Sequence, residues 1–222
     1  MPIKSQIKPL LQKIIIPVYQ YYASRDRRYR YGSISVTINP GVFHPGFFFS
    51  TKLLLKHLSE MPLANCSFLE LGAGSGLISV FAAGKGAKVT ASDISKTAVE
   101  NVRENAQRNR VSVAAIVSDL FENIPLQKFD IIVINPPYYP QKPRKESQYA
   151  WFCGENFEYF QRLFPQMRQY ANRHSEIIMV LSEDCDINRI RQIASENNFS
   201  MELVLEKKGW WETNYIFRIC VV

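Results

Sequence analysis

Short apolar runs alternate with longer amphipathic segments along most of the chain. An apolar run of about four to eight residues is typical of a strand buried in a parallel sheet, whereas apolar residues at intervals of three and four indicate a helix. The predicted strands are 67–71, 88–92, 111–118, 129–134, 176–181, 201–206 and 215–222, and the predicted helices are 50–59, 77–83, 157–170, 186–197 and one that starts at 95. Strands that alternate with helices predict an α/β domain.

The last two predicted strands are joined differently from the others. Only a short connection, which contains Gly209-Trp210-Trp211-Glu212, separates them. A parallel pair needs a crossover of about a dozen residues or more, so this connection favours antiparallel pairing. The sequence therefore predicts an α/β fold whose seven-stranded sheet is mostly parallel and has an antiparallel last strand.

The first predicted strand runs into a glycine-rich turn, Gly72-Ala73-Gly74-Ser75-Gly76. Glycines allow the backbone to turn tightly and to approach a ligand closely. The dinucleotide-binding fingerprint would need its third glycine one position later, where Leu77 stands. The acid Glu70 lies two positions before the first glycine. This spacing favours a ligand that has no pyrophosphate.

Acids follow the next two predicted strands. Asp93 lies 23 positions after Glu70, where an acid can bind ribose hydroxyls because successive strands are neighbours. The alternative is that Asp93 caps the following helix, a task for which Ser95 is better placed. After the third strand, Asp119 can accept a hydrogen bond from an adenine amino group while Leu120 packs on the ring. The alternative for Asp119 is a solvated turn acid.

The fourth predicted strand ends in Asn135-Pro136-Pro137-Tyr138. Proline cannot donate to a sheet ladder, so the strand has to stop there. The Asn135 side-chain oxygen and the Pro136 carbonyl are two acceptors that can grip the N–H bonds of a planar nitrogen and rotate its lone pair out of conjugation. Pro137 fixes the backbone, and Tyr138 offers a ring face to the planar group. The alternative is a plain strand-terminating turn.

These four motifs, taken in order, resemble those of the class I S-adenosylmethionine (SAM) methyltransferases. The chain is most similar to the release-factor glutamine N5-methyltransferases and their relatives in the small-domain group that share the Asn-Pro-Pro-Tyr motif. The resemblance covers roughly residues 40 to 222, including Gly41 to Thr51 and Trp151 to Phe160. It implies a Rossmann-like three-layer sandwich, SAM as the cofactor and S-adenosylhomocysteine as the product.

The resemblance and the motifs together assign site residues. The Gly72, Gly74 and Gly76 turn would hold the methionine moiety, and the complete set of expected cofactor contacts is Glu70, Gly72, Ala73, Gly74, Gly76, Asp93, Ile94, Asp119, Leu120 and Asn135. The expected catalytic residues are Asn135, Pro136, Pro137 and Tyr138. No metal is expected.

The acceptor is less well defined than the cofactor. Bacterial glutamine enzymes usually carry a helical docking domain before the matching region, and they often have Pro-Arg-Pro-x-Thr-Glu where this chain has residues 44–51. The Asn-Pro-Pro-Tyr motif also occurs in adenine-N6 methyltransferases. Three hypotheses follow: methylation of a protein glutamine, methylation of an exocyclic base amine (adenine N6 or guanine N2) in RNA or DNA, and a non-catalytic SAM-binding partner protein. The intact motifs argue against the third.

Composition and charge fit one enzyme domain. The chain has 222 residues, 46% of them hydrophobic, so it can bury a full core. Its formal net charge is +7, and basic residues cluster in 21–31 and 141–145. Basic residues interleaved with aromatic rings can bind nucleic acid, although the alternative is a solvated surface that aids solubility.

The N-terminal region is predicted to be separate from the methyltransferase domain. Apolar residues at helical spacing predict an amphipathic helix in residues 7–22, with a kink at Pro17, and no signal peptide, membrane contact or transmembrane span is expected. We expect an extension over 1–40 and the catalytic domain over 41–222.

The cysteines lack metal-ligand spacing and predict a reduced, cytoplasmic protein. Cys153 is expected to pack in the core, and His44 either lines the pocket or packs beside Pro45. The oligomeric state is left open.

Overall fold

The computed structural model describes residues 22–47, 49–145, 148–209 and 212–222. The predicted N-terminal helix lies outside the described residues, apart from Tyr22. The strands are β1 (Arg27–Tyr31), β2 (Ile34–Ile38), β3 (Ser67–Leu71), β4 (Lys88–Asp93), β5 (Val113–Val117), β6 (Ile131–Ile134), β7 (Glu176–Ser182), β8 (Phe199–Lys208) and β9 (Thr213–Val221). The helices are α1 (Phe49–Ser59), α2 (Leu77–Gly84), α3 (Lys96–Arg108), α4 (Glu158–Met167) and α5 (Ile187–Glu196).

A seven-stranded sheet organises the molecule, in the order β5-β4-β3-β6-β7-β9-β8. The strands from β3 to β7 pair in parallel, and β9 runs antiparallel to both β7 and β8. The predicted fold class is therefore confirmed, including the antiparallel last strand. The short connection between β8 and β9 explains that direction, because it leaves no room for a crossover.

Alternate residues of the central strands pack on opposite faces of the sheet. On one face, Leu69 and Ile132 join a core cluster with α4 and α5. On the other, Phe68 and Ile131 join a cluster with α1 and α2. Both faces are covered, and this is why the central strands read as continuous apolar runs. No helix within the described ranges is long and apolar enough to cross a membrane.

The strand order reverses between β3 and β6. Chain order runs outward from β3 through β4 to β5 on one side, and outward from β6 to β7 on the other. Leu71 at the end of β3 is paired with Ser92 of β4 and with Ile134 of β6, so three strands end at the same level. A reversal of this kind opens a crevice at the carboxyl edge of an α/β sheet, and ligands bind there.

A β-hairpin, β1–β2, precedes this sheet and was not predicted. Its strands pair Arg28 with Thr37 and Arg30 with Ser35. The arginines are exposed, whereas Tyr29 and Tyr31 pack against the core cluster that contains α1. Arg28 and Arg30 therefore lie on the face of β1 opposite to Tyr29 and Tyr31, and the two aromatic rings pack on the core.

Gly76 ends the glycine-rich turn and begins α2. Its φ is +73°, and a Cβ at this position would lie 3.0 Å from Cα and Cγ2 of Val102 in α3. Gly32, in the hairpin turn, also has a positive φ of +56°, but a Cβ there would meet nothing within 4 Å. The two glycines thus share the backbone requirement and differ in the space around them.

We expect Gly76→Ala to destabilise the protein much more than Gly32→Ala. A left-handed non-glycine residue costs about 1–2 kcal/mol, and crowding in a packed core adds about 1–3 kcal/mol. Only Gly76→Ala carries the second cost. Urea unfolding measures both free energies, and equal losses would contradict the contact with Val102.

Candidate active site

A cleft of about 530 Å³ lies at the carboxyl edge of the sheet, above the point where the strand order reverses. Every predicted site residue except Gly76 lines it: Glu70, Gly72, Ala73, Gly74, Asp93, Ile94, Asp119, Leu120, Asn135, Pro136, Pro137 and Tyr138. Two further segments, around 40–45 and 149–154, also contribute to its walls. The residues that the sequence motifs singled out are therefore brought together, and the roles assigned to them stay predictions.

The glycine-rich turn forms the part of the cleft above β3. Its backbone is fixed to β4 because the N–H groups of Gly72 and Ala73 donate to the carbonyl of Ser92, at 2.8 and 3.0 Å. Gly72 has a φ of +74°, and a Cβ there would point into open space. A ligand can thus approach the backbone at Gly72 closely. Gly76 has a different task, since it is required by the packing of α2 on α3.

Asp93 braces this turn. Its Oδ2 accepts a hydrogen bond from the N–H of Gly74, and its Oδ1 accepts one from the N–H of Ser95, both at 2.9 Å. Ser95 is the residue that caps α3, because its Oγ accepts from the N–H of Ala98. A carboxylate has about four acceptor positions, so Asp93 can brace the turn and still accept hydrogen bonds from hydroxyl groups of a ligand.

Glu70 is a buried acid at the base of the cleft. Its side chain accepts a hydrogen bond from the Ser79 hydroxyl. Burial raises the pKa of Glu70 to about 8, the nearby charge of Asp93 adds to the rise, and the Ser79 hydrogen bonds oppose it. Glu70 is therefore mostly protonated and uncharged at neutral pH, so that most of the negative charge near the turn comes from Asp93.

Asp119 lies at the other end of the cleft and is paired. Its Oδ2 lies 2.8 Å from the Arg162 guanidinium of α4, which also contacts Glu122 at 3.1 Å. The neighbouring Leu120 is buried and has a φ of +50°, a left-handed conformation that costs a non-glycine residue about 1–2 kcal/mol. Such a conformation needs support from its surroundings, and it presents Leu120 to the cleft.

The Asn135–Tyr138 turn is tied to the segment after it. The N–H groups of Tyr138 and Tyr139 donate to the carbonyl of Trp151, at 3.2 and 3.0 Å, and the N–H of Cys153 donates to the carbonyl of Tyr139 at 2.9 Å. The side-chain Nδ2 of Asn135 donates to the Ser50 hydroxyl at 3.5 Å. The turn is therefore held on both sides.

Tyr138 has two environments. It lines the cleft, and it also packs against the core cluster under α4 and α5. Burial raises the pKa of its hydroxyl, and a side-chain hydrogen bond to Ser182 lowers it in part. The hydroxyl is thus held neutral at the end of β7, which fixes the ring beside Asn135.

Several cleft residues were not among the predicted site residues. Phe43 and Trp151 stand in contact with ring centroids 5.4 Å apart, and each comes from one of the two wall segments. Tyr159 lines the cleft, and its pKa is raised by burial and then by the charges of Asp93 and Asp119. Arg162 and Ser50 also belong here. A single helix or loop position of this kind becomes part of a site only through tertiary packing.

Two residues that sequence reasoning left near the site have structural surroundings. His44 does not line the cleft; its ring makes edge contacts with Tyr22, Tyr29 and Phe47, and burial lowers its pKa. Cys153 does line the cleft, but burial raises the pKa of its thiol to about 11. A thiol of such a pKa is a poor nucleophile at neutral pH, in agreement with a packing role.

The residues present fit S-adenosylmethionine. Gly72 leaves open space for a chain that lies along the backbone, Asp93 offers carboxylate oxygens that can accept from ribose hydroxyls, and Leu120 provides an apolar surface beside the acid Asp119. The cleft also has room for a ligand of this size.

Sequence comparison gives a family match and several relatives. The profile of the family described as "Methyltransferase small domain" matches residues 33–201. A protein of Methanocaldococcus jannaschii, provisionally named a protein N5-glutamine methyltransferase, is 44% identical over 180 residues, which is 77% of this chain and 89% of that protein. The ribosomal protein L11 methyltransferase of Thermosipho africanus is 37% identical over 131 residues, which is 58% of this chain and 50% of that protein. The chain thus spans half of this bacterial relative.

Solved structures confirm the fold. The ribosomal protein L11 methylase from Lactobacillus delbrueckii subsp. bulgaricus superposes with a TM-score of 0.60 at 22% identity, covering 81% of this chain and 82% of that one. A 16S rRNA N2 methyltransferase from T. thermophilus, in complex with AdoMet and guanosine, superposes with a TM-score of 0.62 at 20% identity, covering 87% of this chain and 50% of that one.

The state of Glu70 predicts how stability depends on pH. Its pKa is about 8 in the folded chain and 4.5 when unperturbed, so folding takes up a proton between these values. The stability that Glu70 contributes is complete below about pH 4.5 and is lost as the pH rises through about 8. The free energy of unfolding should fall by up to about 1.4 kcal/mol per pH unit in this window.

Glu70→Gln should remove this dependence, because glutamine does not titrate. Urea unfolding from pH 5 to 9 measures the free energy of unfolding of both proteins. As the pH rises, we expect wild type to lose stability relative to Glu70→Gln. Glu60→Gln, at an exposed position directly after α1, is the control and should leave the pH profile unchanged. Parallel profiles for wild type and Glu70→Gln would refute the assignment.

Proposed function

Because the chain belongs to the small methyltransferase domain family and is a SAM-dependent methyltransferase, we propose that it methylates a planar nitrogen held at Asn135 and Pro136, and that this nitrogen belongs to a protein glutamine. The observation that carries the proposal is the position of Asn135 and Pro136, which follow β6 and line the same cleft as Gly72 and Asp93. The Asn135 Nδ2 lies 3.5 Å from the Ser50 hydroxyl, and the side-chain oxygen of Asn135 can accept a hydrogen bond from a ligand. An acceptor oxygen is what an incoming N–H group requires.

The chain's own residues position the acceptor. Asn135 Oδ1 and the Pro136 carbonyl accept hydrogen bonds from the two N–H groups of the target nitrogen. These hydrogen bonds turn the nitrogen lone pair out of conjugation. Pro136 has no N–H of its own to compete for the carbonyl of a ligand. Tyr138, fixed by Ser182, limits the planar group to one plane. When bound, S-adenosylmethionine supplies an electrophilic methyl group on a sulfonium.

Bond formation requires little further help. The nitrogen lone pair forms the new N–C bond as the C–S bond breaks, and the positive charge moves from sulfur to nitrogen. Asn135 and Pro136 face that charge with oxygen atoms, so their hydrogen bonds strengthen as it develops. In-line alignment supplies most of the remaining acceleration. The proton on nitrogen leaves to solvent after transfer, and no side chain has to act as a base beforehand.

Support for a glutamine acceptor comes from the M. jannaschii relative. That protein is 44% identical, and this chain covers 89% of its length. Its name assigns it to protein N5-glutamine methylation, and we extend that activity to this chain as a proposal. A glutamine amide is planar and has two N–H groups on one nitrogen. These two donors match the two acceptor oxygens of Asn135 and Pro136.

An exocyclic base amine is the second candidate, favoured by charge. Lys142, Arg144 and Lys145 are exposed directly after the Asn135–Tyr138 turn. Lys142 and Arg144 line a shallow depression together with Phe152, so the basic segment carries an aromatic ring. Bases next to an aromatic ring can hold a phosphate and stack a nucleobase.

Asn135→Ala should separate chemistry from cofactor binding. We expect SAM affinity, measured by calorimetry, to stay within about threefold of wild type and turnover to fall at least about 100-fold, a barrier increase of about 2.7 kcal/mol. Asn123→Ala, at an exposed loop position whose amide bonds to the Val117 carbonyl, is the matched control and should retain turnover. Turnover within about threefold of wild type in Asn135→Ala would show that the role is wrong.

The acceptor is tested by methyl transfer from labelled SAM to a release factor and to ribosomal RNA at increasing salt. A glutamine acceptor predicts label on the protein and a rate that the charge-reversing triple change Lys142→Glu, Arg144→Glu, Lys145→Glu alters by less than about threefold. Label on RNA, with a steep loss of binding as salt rises, would refute the glutamine proposal and support the second candidate.

A further inference from the structure

Helix α3 carries three asparagines at intervals of four residues: Asn101, Asn105 and Asn109, the last as the cap. Residues four apart lie on one face of a helix. Asparagine is a poor residue for a helix interior because its side chain competes for backbone hydrogen bonds. Asn101 and Asn105 are nevertheless fully buried. Buried amide groups need hydrogen-bond partners, and these partners show what the row of asparagines holds in place.

The partners are backbone groups of β2 and the residue after it. Asn109 accepts from the N–H of Ser35 at 3.1 Å and donates to the Ser35 carbonyl at 2.8 Å. Asn105 makes the same pair of bonds to Thr37, at 2.8 and 2.7 Å. Asn101 accepts from the N–H of Asn39 at 3.1 Å and donates to the Thr37 carbonyl at 2.9 Å. The amides therefore act as a neighbouring strand would, and we call the row the amide ladder.

Asn105 makes one bond that the rest of the ladder does not. Its Nδ2 also donates to the carbonyl of Ser75 at 2.9 Å. Ser75 is a buried residue of the glycine-rich turn. One side chain thus connects the hairpin directly to the turn that lines the cleft.

The hairpin leads directly into the opposite wall of the cleft. Residues 40–43 follow β2 and line the cleft. Phe43 lies next to the turn, since its Cβ is 3.8 Å from the position that a Cβ on Gly74 would take. The separation between the two walls therefore depends on how the hairpin is attached, and of the three asparagines that attach it Asn105 also bonds to the turn.

We propose that Asn105 is a positioning residue of the cofactor site. It holds the glycine-rich turn and the hairpin in one arrangement, so that the cleft has its binding width before a ligand arrives. The inference rests on this cleft being the SAM site. Asn109 holds the same strand without touching the turn, and the two residues therefore separate attachment of the hairpin from positioning of the turn.

Coupling between the sites follows from this arrangement. A ligand that binds to both walls must also stabilise the hydrogen bonds of the amide ladder. By linkage, an intact ladder must then raise the affinity for the ligand by the same factor. The N–H of Thr37 donates a hydrogen bond to Asn105, and its hydrogen should therefore exchange with solvent more slowly when ligand is bound. The N–H of Ser35, bonded to Asn109 farther from the turn, should respond less.

The experiment compares Asn105→Ala with Asn109→Ala in the full chain. Calorimetric titration with SAM and with S-adenosylhomocysteine should show at least about tenfold weaker binding for Asn105→Ala and a change of less than about threefold for Asn109→Ala. Thermal unfolding of the free proteins should show both destabilised. Equal effects of the two variants on affinity, or an unchanged affinity in folded Asn105→Ala, would overturn the proposal.

Hydrogen exchange on wild type tests the same point without a variant, should Asn105→Ala not fold. Saturating SAM should slow exchange of the Thr37 amide at least about threefold and more than that of Ser35. Unchanged exchange at Thr37 with SAM bound would overturn the positioning role. A wild-type protein that does not bind SAM at all would instead refute the site on which the inference rests.

Discussion

The rest of the structure depends on the complete burial of the parallel strands at the centre of the sheet. β6 is buried along its whole length, and β3 is buried from Phe68 to Leu71. A strand covered on both faces has no place for exposed polar groups, so polar chemistry moves to the strand ends. Because β3, β4 and β6 end level, Gly72, Asp93 and Asn135 become neighbours although they are far apart in sequence.

Glu70 is the exception to this placement of polar groups at strand ends, and its raised pKa shows the effect of burying an acid. The acid lies inside β3 rather than beyond it, and burial raises its pKa until the proton stays on at neutral pH. Asp119 and Asp93 are only partly buried; Asp119 pairs with Arg162, and Asp93 accepts hydrogen bonds from two backbone N–H groups. The three acids thus line one cleft with three different sets of partners, although each lies near the carboxyl end of a strand.

Much of the fold and of the cleft could be predicted from the sequence. The apolar runs marked the strands because burial on both faces leaves that pattern, and the turn after each of four strands marked the carboxyl edge. The hairpin could not be predicted, since the alternation in Arg27–Tyr31 fits an exposed basic segment until Tyr29 and Tyr31 are seen to pack on the core. Gly76 is predicted to be a ligand contact, but it does not line the cleft, and a Cβ there would crowd Val102. Arg162 and Asn105 depend on partners more than 25 positions away, which no local pattern reveals.

The amide ladder has a consequence for how this protein can diverge. All its bonds to the hairpin go to main-chain N–H and carbonyl groups, which every residue except proline supplies. The side chains of Arg28, Arg30 and Ser35 take no part in these bonds. Their identity is therefore open to change without loss of the hairpin, provided that no proline enters at Ser35, Thr37 or Asn39. The backbone of the hairpin is thus held by α3, whereas its exposed side chains can change during evolution.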